Sequence, residues 1–489
     1  MPVPSLRIQT LNDQPLRPDG RYVLYWMTAS RRVEWNFGLQ RAVEHAVELG
    51  RPLVVLEALR VGYRWANDRL HRFALQGMAE NRRRLKNTPV RYYGYVEPEA
   101  GHGSGLLEAL AEQAAVVVTD DYPCFFLPRM LQTVAPRLGV RLEAVDSNGL
   151  LPMRAASKVF PTAYAFRRFL QKTLPDHLIE LPKSNPLDGV SLSPATDVGT
   201  DVCKRWPEAT DELLTATSEA LTRLPIDHSV GPGIVDGGTV TAERSLRSFL
   251  TSKLHRYPDE RNQPQADASS RLSPWLHFGH MSAHQVFAEL CQLEEWHPGR
   301  LSTSTKGSRA GWWGMSDAAE AFLDELITWR ELGFNMCWQR ADYDQYESLP
   351  DWAQTTLADH EGDAREHVYS RDEFEHAGTH DELWNAAQTQ LATEGRMHNY
   401  LRMLWGKKIL EWSATPRDAL DTMIHLNNKY ALDGRDPNSY SGIFWVLGRY
   451  DRAWGPERPI FGKIRYMSSQ NTARKVRVRD YIERHRPSH

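Results

Sequence analysis

The stretch YVLYWMTASRRVEWNFGLQRAVEHAVELGRPLVVLEA, Tyr22 to Ala58, decides the architecture of the first half of the chain. Tyr22-Val-Leu-Tyr-Trp-Met27 is a short apolar run that follows a turn-forming Pro18-Asp19-Gly20. A helical period takes over from about Val33 to Leu49 and stops at Gly50, a residue that ends helices without a Cβ penalty. Pro52-Leu-Val-Val-Leu-Glu-Ala58 then reads as a second strand. Further strands follow at Val90–Val96, Ala115–Thr119 and Val140–Val145, with helices at Leu70–Leu85, Leu106–Ala114 and Leu127–Leu138 between them. Apolar strands alternating with amphipathic helices predict a mostly parallel sheet covered on both faces. No GxGxxG follows the first strand, so a dinucleotide site of the usual kind is not indicated.

Residues 181–238 are rich in Pro, Ser, Thr, Asp and Gly and read as an interdomain linker. Strand signals then nearly vanish. Long helical periods dominate, and twelve of the sixteen tryptophans lie beyond Pro274. The organisation expected is an α/β domain over 1–180, a linker over 181–238 and a large all-helical domain over 239–489. With 489 residues the chain has length for two or three substantial cores, and 41% hydrophobic with 25% charged residues is a globular balance. No apolar run approaches the roughly 20 residues of a membrane span. The N-terminus lacks the apolar segment of a secretory signal. Cys124, Cys203, Cys291 and Cys337 form no CxxC pair, which fits a reducing, cytoplasmic setting and argues against a zinc site. Net charge is −3, but from Glu457 onward nine Lys/Arg face three acids, a local excess suited to phosphate contacts or to a solvated helix.

Four stretches carry candidate chemistry. In Glu325-Leu-Ile-Thr-Trp329-Arg330-Glu331-Leu332, Glu325 and Trp329 are four apart and project from one side of a helix. A carboxyl beside an indole can bond the edge of one planar ring while the indole stacks on another; an exposed Glu next to a core Trp is the ordinary reading. Ser269-Ser-Arg-Leu-Ser-Pro-Trp-Leu-His-Phe-Gly279 places Ser273 as a helix cap and Pro274 in the first turn, where free N–H groups can face an anion. The loop Leu426-Asn-Asn-Lys-Tyr-Ala-Leu-Asp-Gly-Arg-Asp-Pro-Asn438 is dense in donors and acceptors; Asp433 and Asp436 suit hydroxyl acceptance or an Arg partner, or simply turn chemistry. Trp405 and Trp412 are two helical turns apart, ~10 Å, with Trp384 upstream. They suit an electron relay or core packing.

Taken together with Glu260-Arg-Asn, Thr379-His-Asp-Glu-Leu-Trp-Asn-Ala-Ala-Gln, Met397-His-Asn-Tyr-Leu-Arg-Met, Lys407-Lys-Ile-Leu-Glu-Trp and Phe461-Gly-Lys-Ile-Arg-Tyr-Met, these stretches resemble the photolyase/cryptochrome family, and most closely its class II cyclobutane pyrimidine dimer photolyases. The likeness is dense from about Tyr257 to Met467 and looser before it. It implies an N-terminal α/β domain with a Rossmann-like parallel sheet joined to a large all-α FAD-binding domain, the photolyase fold. It implies reduced FAD held by Tyr257, Ser269, Ser270, Leu272 and Ser273, flanked by Phe322 and Arg330, with Arg402 paired to Asp433 or Asp436. Asn427 would face the flavin N5. Glu325 would bond the flipped pyrimidine pair, Trp329 and Trp445 would stack on it, and Arg261, Asn262 and Tyr369 would be further contacts. Arg452 and Trp454 would enter the gap left in the duplex, and Trp405, Trp384 and Trp412 would carry electrons inward.

The implied reaction is light-driven repair of pyrimidine dimers by a carbon–carbon lyase, with UV-damaged DNA as partner, no membrane and no obligate protein partner, and room for a second antenna chromophore of unspecified identity. An extruded lesion is what such chemistry requires, since a dimer inside a duplex cannot reach a buried cofactor. Asn399, Leu404 and Gly406 depart from the class pattern, as does Thr28-Ala-Ser-Arg-Arg-Val, and the loop from Trp445 to Trp454 is one residue short. A cryptochrome-like blue-light receptor is the alternative; it predicts loss of Glu325 or of the stacking aromatics, which this chain keeps. A (6–4) photoproduct enzyme would place paired histidines where Asn399 and Met403 stand.

Overall fold

The computed structural model of the protein describes residues 1–487. One six-stranded sheet runs in the order β1-β6-β5-β2-β3-β4, built from β1 (Ile8–Thr10), β2 (Tyr22–Met27), β3 (Leu53–Leu59), β4 (Val90–Val96), β5 (Ala114–Asp120) and β6 (Leu142–Val145). β2 pairs in parallel with both β3 and β5, β3 with β4, and β5 with β6. The central β2 and β5 are buried along their whole length, as continuous apolar runs require when helices cover both faces.

Several boundaries differ from the sequence reading, each for a local reason. β1, which pairs antiparallel with β6, was not foreseen: its three residues, Ile-Gln-Thr, lie half-buried or exposed at the sheet edge and carry no apolar run. The first helix begins at Phe37, because Asn36 caps it by accepting from Leu39 N at 3.1 Å. The second begins at Asp68, where Asn67 does the same for Leu70 N. The helix from Leu127 gives way after Val134 to a tighter turn containing Pro136, which lacks the N–H an α-helix would need there.

Residues 181–238 pack closely against the α/β half. They carry three short helices, Thr200–Arg205, Asp211–Leu214 and Ser218–Leu221. Val198, Val202 and Trp206 join the core on one side of the sheet, and Trp206 Nε1 donates to His102 O at 2.8 Å. Beyond Thr239 the architecture is helical, and among the described residues no strand follows Val145. No helix there is long and apolar enough to cross a membrane.

Buried polar groups join the two halves. Arg69, 2% exposed, donates to the carbonyls of Leu391, Ala392 and Tyr430, at the C-terminal end of the helix Glu382–Glu394 and beyond it. Glu331 accepts from Leu150 N (2.7 Å) and Leu151 N (3.1 Å), while Arg330 Nη1 donates to Asn148 O (2.9 Å). Burial pushes the Glu331 carboxyl up to about 7, against the pull of Arg330 and the two N–H groups.

Candidate active site

The 325–332 stretch is less regular than a continuous α-helix. The helix Asp317–Leu323 passes into one π-helical segment, Asp324–Trp329, before α geometry resumes at Arg330–Gln339. Such wide turns recur at functional sites. Of residues 322–330, Glu325 and Trp329 alone are not buried. Asp324 anchors the wide turn from behind: its carboxylate takes two bonds from Arg167, at 2.8 and 3.0 Å. A forked guanidinium–carboxylate pair fixes orientation as well as position.

In front, Arg261 Nη1 donates to Glu325 Oε1 at 2.5 Å, and its guanidinium lies over the Tyr257 ring. Burial raises the Glu325 carboxyl above its ordinary range and Asp324 adds to the rise, while Arg261 opposes it. Phe322 is buried beside them in an aromatic group with Phe249 (4.7 Å) and Tyr257 (5.7 Å). Asn262 is exposed beside Arg261.

The loop before Ser273 is tightly wound. Asp267 and Arg271 both have left-handed backbone (φ 49° and 58°), and their side chains form an ion pair. Non-glycine residues in this region hold a strained loop shape that the surroundings must enforce. Ser269 and Ser270 are half-buried within the loop, and Leu272 is 1% exposed. Ser273 is not the cap: it is the first helical residue of Ser273–His277, Leu272 takes the cap position, and no side chain bonds the first turn.

Arg402 pairs with Asp433 (3.1 Å). Asp436 is committed elsewhere. It caps the helix Pro437–Val446 through Asn438 N at 2.8 Å, accepts from Tyr122 OH at 3.0 Å, and faces His277. Burial alone would raise its pKa, but His277, Arg330 and Asn438 N–H hold it below the carboxylate norm. Arg435 between the two acids is again left-handed (φ 63°). Arg330, besides reaching Asn148 O, stacks on Phe334. Asn427, 2% exposed, donates to Ser439 Oγ at 2.6 Å, and among the described residues no donor reaches its Oδ1. A side-chain oxygen left free to accept, next to polar residues on the same helix and an Arg–Asp pair on its neighbours, fits the edge of a flavin ring, which offers N–H groups and carbonyls in one plane.

Trp384, Trp405 and Trp412 are all buried. Trp384 Nε1 donates to Trp405 O at 3.0 Å, and the Trp384 and Trp412 rings meet edge to face at 6.1 Å. Trp384 therefore lies between the other two. Tyr369 belongs with this row: its ring is 5.8 Å from Trp412 and its hydroxyl 2.7 Å from His380 Nδ1, so the structure groups it with the tryptophans and not with Arg261 and Glu325. Trp445 and Trp454 are linked by Arg465, whose guanidinium lies 5.2 Å from one ring centroid and 4.2 Å from the other; Arg452 covers Trp454 as well. Asp451 holds the group, accepting from Arg465 Nε (3.1 Å) and Trp454 Nε1 (3.1 Å). Arg167, Asp451 and Arg465 were not singled out from sequence. Asp324 was the available signal for Arg167, since an acid inside an apolar helical stretch needs a buried cation.

A separate cavity of about 640 Å³ opens at the carboxyl ends of β2, β3 and β4, lined there by Trp26, Leu59 and Glu97. That edge is where open parallel sheets take ligands. None of the ten residues expected around the flavin lines it; His277, Phe278 and Arg435 close it from the helical half. Arg31, Arg60, Arg129 and Arg137 surround it, and Glu97 clamps its loop by accepting from Gly101 N and Gly103 N.

A parallel α/β sheet docked on a tryptophan-rich helical half, with these clustered side chains, defines the photolyase/cryptochrome class. Two solved structures share the fold: a class III photolyase from Agrobacterium tumefaciens and a cryptochrome from Synechocystis, each with a TM-score of 0.62 over 95% of this chain, at 15% and 14% identity and covering 86% and 88% of their own chains. No protein-family model matches the chain. Among curated relatives, the deoxyribodipyrimidine photo-lyase of Methanothermobacter thermautotrophicus is 36% identical over 480 residues, 98% of this chain and 97% of its own. Those of Arabidopsis thaliana (34%; 96% of this chain, 90% of its own) and Potorous tridactylus (32%; 97% and 83%) align comparably. The chain belongs to the deoxyribodipyrimidine photolyase family.

Proposed function

We propose that this protein is a class II photolyase that repairs cyclobutane pyrimidine dimers in DNA, using light and reduced FAD. The observation that carries the reading is the pair Glu325 and Trp329, the two residues of their stretch left open, with Arg261 bonded to the carboxyl. When bound, reduced FAD supplies a light-excited electron to the lesion and recovers it after the ring has split, so that two carbon–carbon bonds break with no net redox change.

The chain's own residues do the rest. Asn427 Oδ1 would accept from the flavin N5–H, and Arg402 with Asp433 would hold a neighbouring polar part of the cofactor. Glu325, its carboxyl raised by burial and held by Arg261, would bond the polar edge of the extruded pyrimidine pair as charge develops there. Trp329 and Trp445 stack on the pair, returning ~1–3 kcal/mol per base against the cost of extrusion. Arg452 and Trp454 occupy the space the pair vacates. Trp412, Trp384 and Trp405, in that order, offer a path by which oxidised cofactor is reduced. The cavity at the sheet edge, ringed by arginines, suits a second, anionic chromophore that passes light energy inward.

The test is to purify the protein in the dark, record its absorption, and illuminate it with an oligonucleotide carrying a thymine dimer. Flavin bands with light-dependent loss of dimers are expected. Flavin bands without repair would favour a blue-light receptor, and a colourless protein would overturn both readings.

A further inference from the structure

Lys407 is 0% exposed, an unusual place for an ammonium group. Its Nζ donates to Val446 O at 2.5 Å. Val446 is the last residue of the helix Pro437–Val446, so the ammonium sits at the end of that helix where a cation is favoured. The same Nζ lies 5.1 Å from the Trp445 ring centroid. The contact is tight at Gly406: a Cβ there would fall 2.5 Å from Val446 Cγ2 and 3.1 Å from Met423 Sδ, so a larger residue would press on the Val446 and Met423 side chains beside the carbonyl that Lys407 reaches. Trp445 is in turn joined through Arg465 to Trp454 and Arg452, giving a continuous series of cation, indole, cation, indole, cation.

We propose that Lys407 is a positioning residue for lesion recognition: from inside the helical core it fixes the helix end that carries Trp445 and sets the plate on which the extruded pyrimidine pair stacks. The assignment rests on the repair reading given above. The lysine touches neither cofactor nor lesion; it acts through Trp445.

The charged groups facing the ammonium are Asp451 and Arg465. Burial lowers the Lys407 pKa to about 7; Asp451 opposes this and Arg465 adds to it. The proton on Nζ is lost as pH rises through that value, and the cation over Trp445 goes with it. Preference for dimer-containing over undamaged DNA should then fall between pH 6 and pH 8.

The experiment measures affinity of the dark holoenzyme for a thymine-dimer duplex and its undamaged counterpart at pH 6, 7 and 8, with bound flavin quantified by absorption. The wild type should lose about threefold or more in preference across this range. Lys407→Met should retain flavin, show preference reduced about fivefold or more, and show no pH step; Lys407→Arg should recover part of the preference and remain flat with pH. A Lys407→Met protein that keeps flavin, preference and pH profile overturns the proposal. Should that variant fail to fold, a pH-independent wild-type preference overturns it equally. A wild type that binds both duplexes alike defeats the repair reading itself, a result distinguishable from failure of Lys407 alone.

Discussion

The wide turn that presents Glu325 depends on a partner 157 residues away, and that dependence can be measured. Arg167 and Asp324 meet through two bonds of 2.8 and 3.0 Å, with side chains only 7% and 10% exposed. Solvent screening is therefore slight. Replacing Arg167 with Leu strands a buried carboxylate, which costs about 3–5 kcal/mol in comparable sites. With a slope of about 3 kcal/mol per molar urea, the unfolding midpoint should fall by about 1–1.7 M. Replacing both partners, Arg167→Leu with Asp324→Leu, removes the stranded charge and should recover at least half of the loss. The assay is urea unfolding of the holoenzyme followed by circular dichroism, with dimer repair measured in parallel. Repair should drop in the single variant because the wide turn loses its anchor. A single variant that loses less than about 1 kcal/mol, or a double variant worse than the single, would refute the claim that this pair holds the turn.

Three further outcomes follow from the geometry. Glu325→Ala should lower the repair yield while leaving flavin content unchanged; because the Glu325–Arg261 pair is about one-third exposed, its stability cost should stay below about 1 kcal/mol, read by the same urea titration. Trp405→Phe should block light-driven reduction of oxidised flavin yet spare repair by enzyme reduced beforehand, and reduction at the normal rate would exclude the indole row as the route. In the α/β half, burial would raise the Glu143 pKa, but bonds from His45 Nε2 (2.9 Å) and Arg41 Nε (2.8 Å) outweigh it and bring the carboxyl down to about 2 from 4.5. A depressed carboxylate stabilises the fold above its unfolded value and loses that contribution as pH falls, so Glu143→Gln should be less stable than wild type by about 3 kcal/mol at pH 7, with the gap closing between pH 4.5 and pH 2 in denaturant titrations.

The strands were legible because burial on both faces demands mainly apolar runs, and β2 to β6 carry them with few polar interruptions such as Glu57, Arg91 and Glu143. β1 was not, since an edge strand of three residues is held by its partner's backbone and needs no pattern of its own. The π turn was invisible for a related reason: Glu325 and Trp329 stay on one side in either helical form, so periodicity cannot tell the two apart. Spacing conveyed that Glu325 and Trp329 share one side; that both are left partly open is what the structure adds. Partner choice was harder. Asp433 and Asp436 are equivalent in composition, and only the chain's return through Tyr122 and His277 commits the second of them to holding a helix start. Tyr369 shows the same difficulty, drawn to Trp412 by packing that spacing cannot encode.

Lys407 carries this furthest. In sequence it is one of two adjacent lysines on a helix, and nothing separates it from Lys408, which pairs with Glu411 at 2.6 Å. The difference is made by the residue before it and by a helix thirty positions on. Gly406 lacks the atom that would press on the Val446 side chain, and the Val446 carbonyl gives a buried ammonium a partner it would otherwise lack. The glycine that breaks the family's pattern and the lysine that keeps it thus form one device. Restoring a methyl with Gly406→Ala should push Val446 back, loosen the Lys407 bond, and reproduce the Lys407→Met loss of preference for damaged DNA with flavin still in place. Unchanged preference in that variant, with its flavin intact, would mean that the close approach of the two helices has no part in holding Trp445.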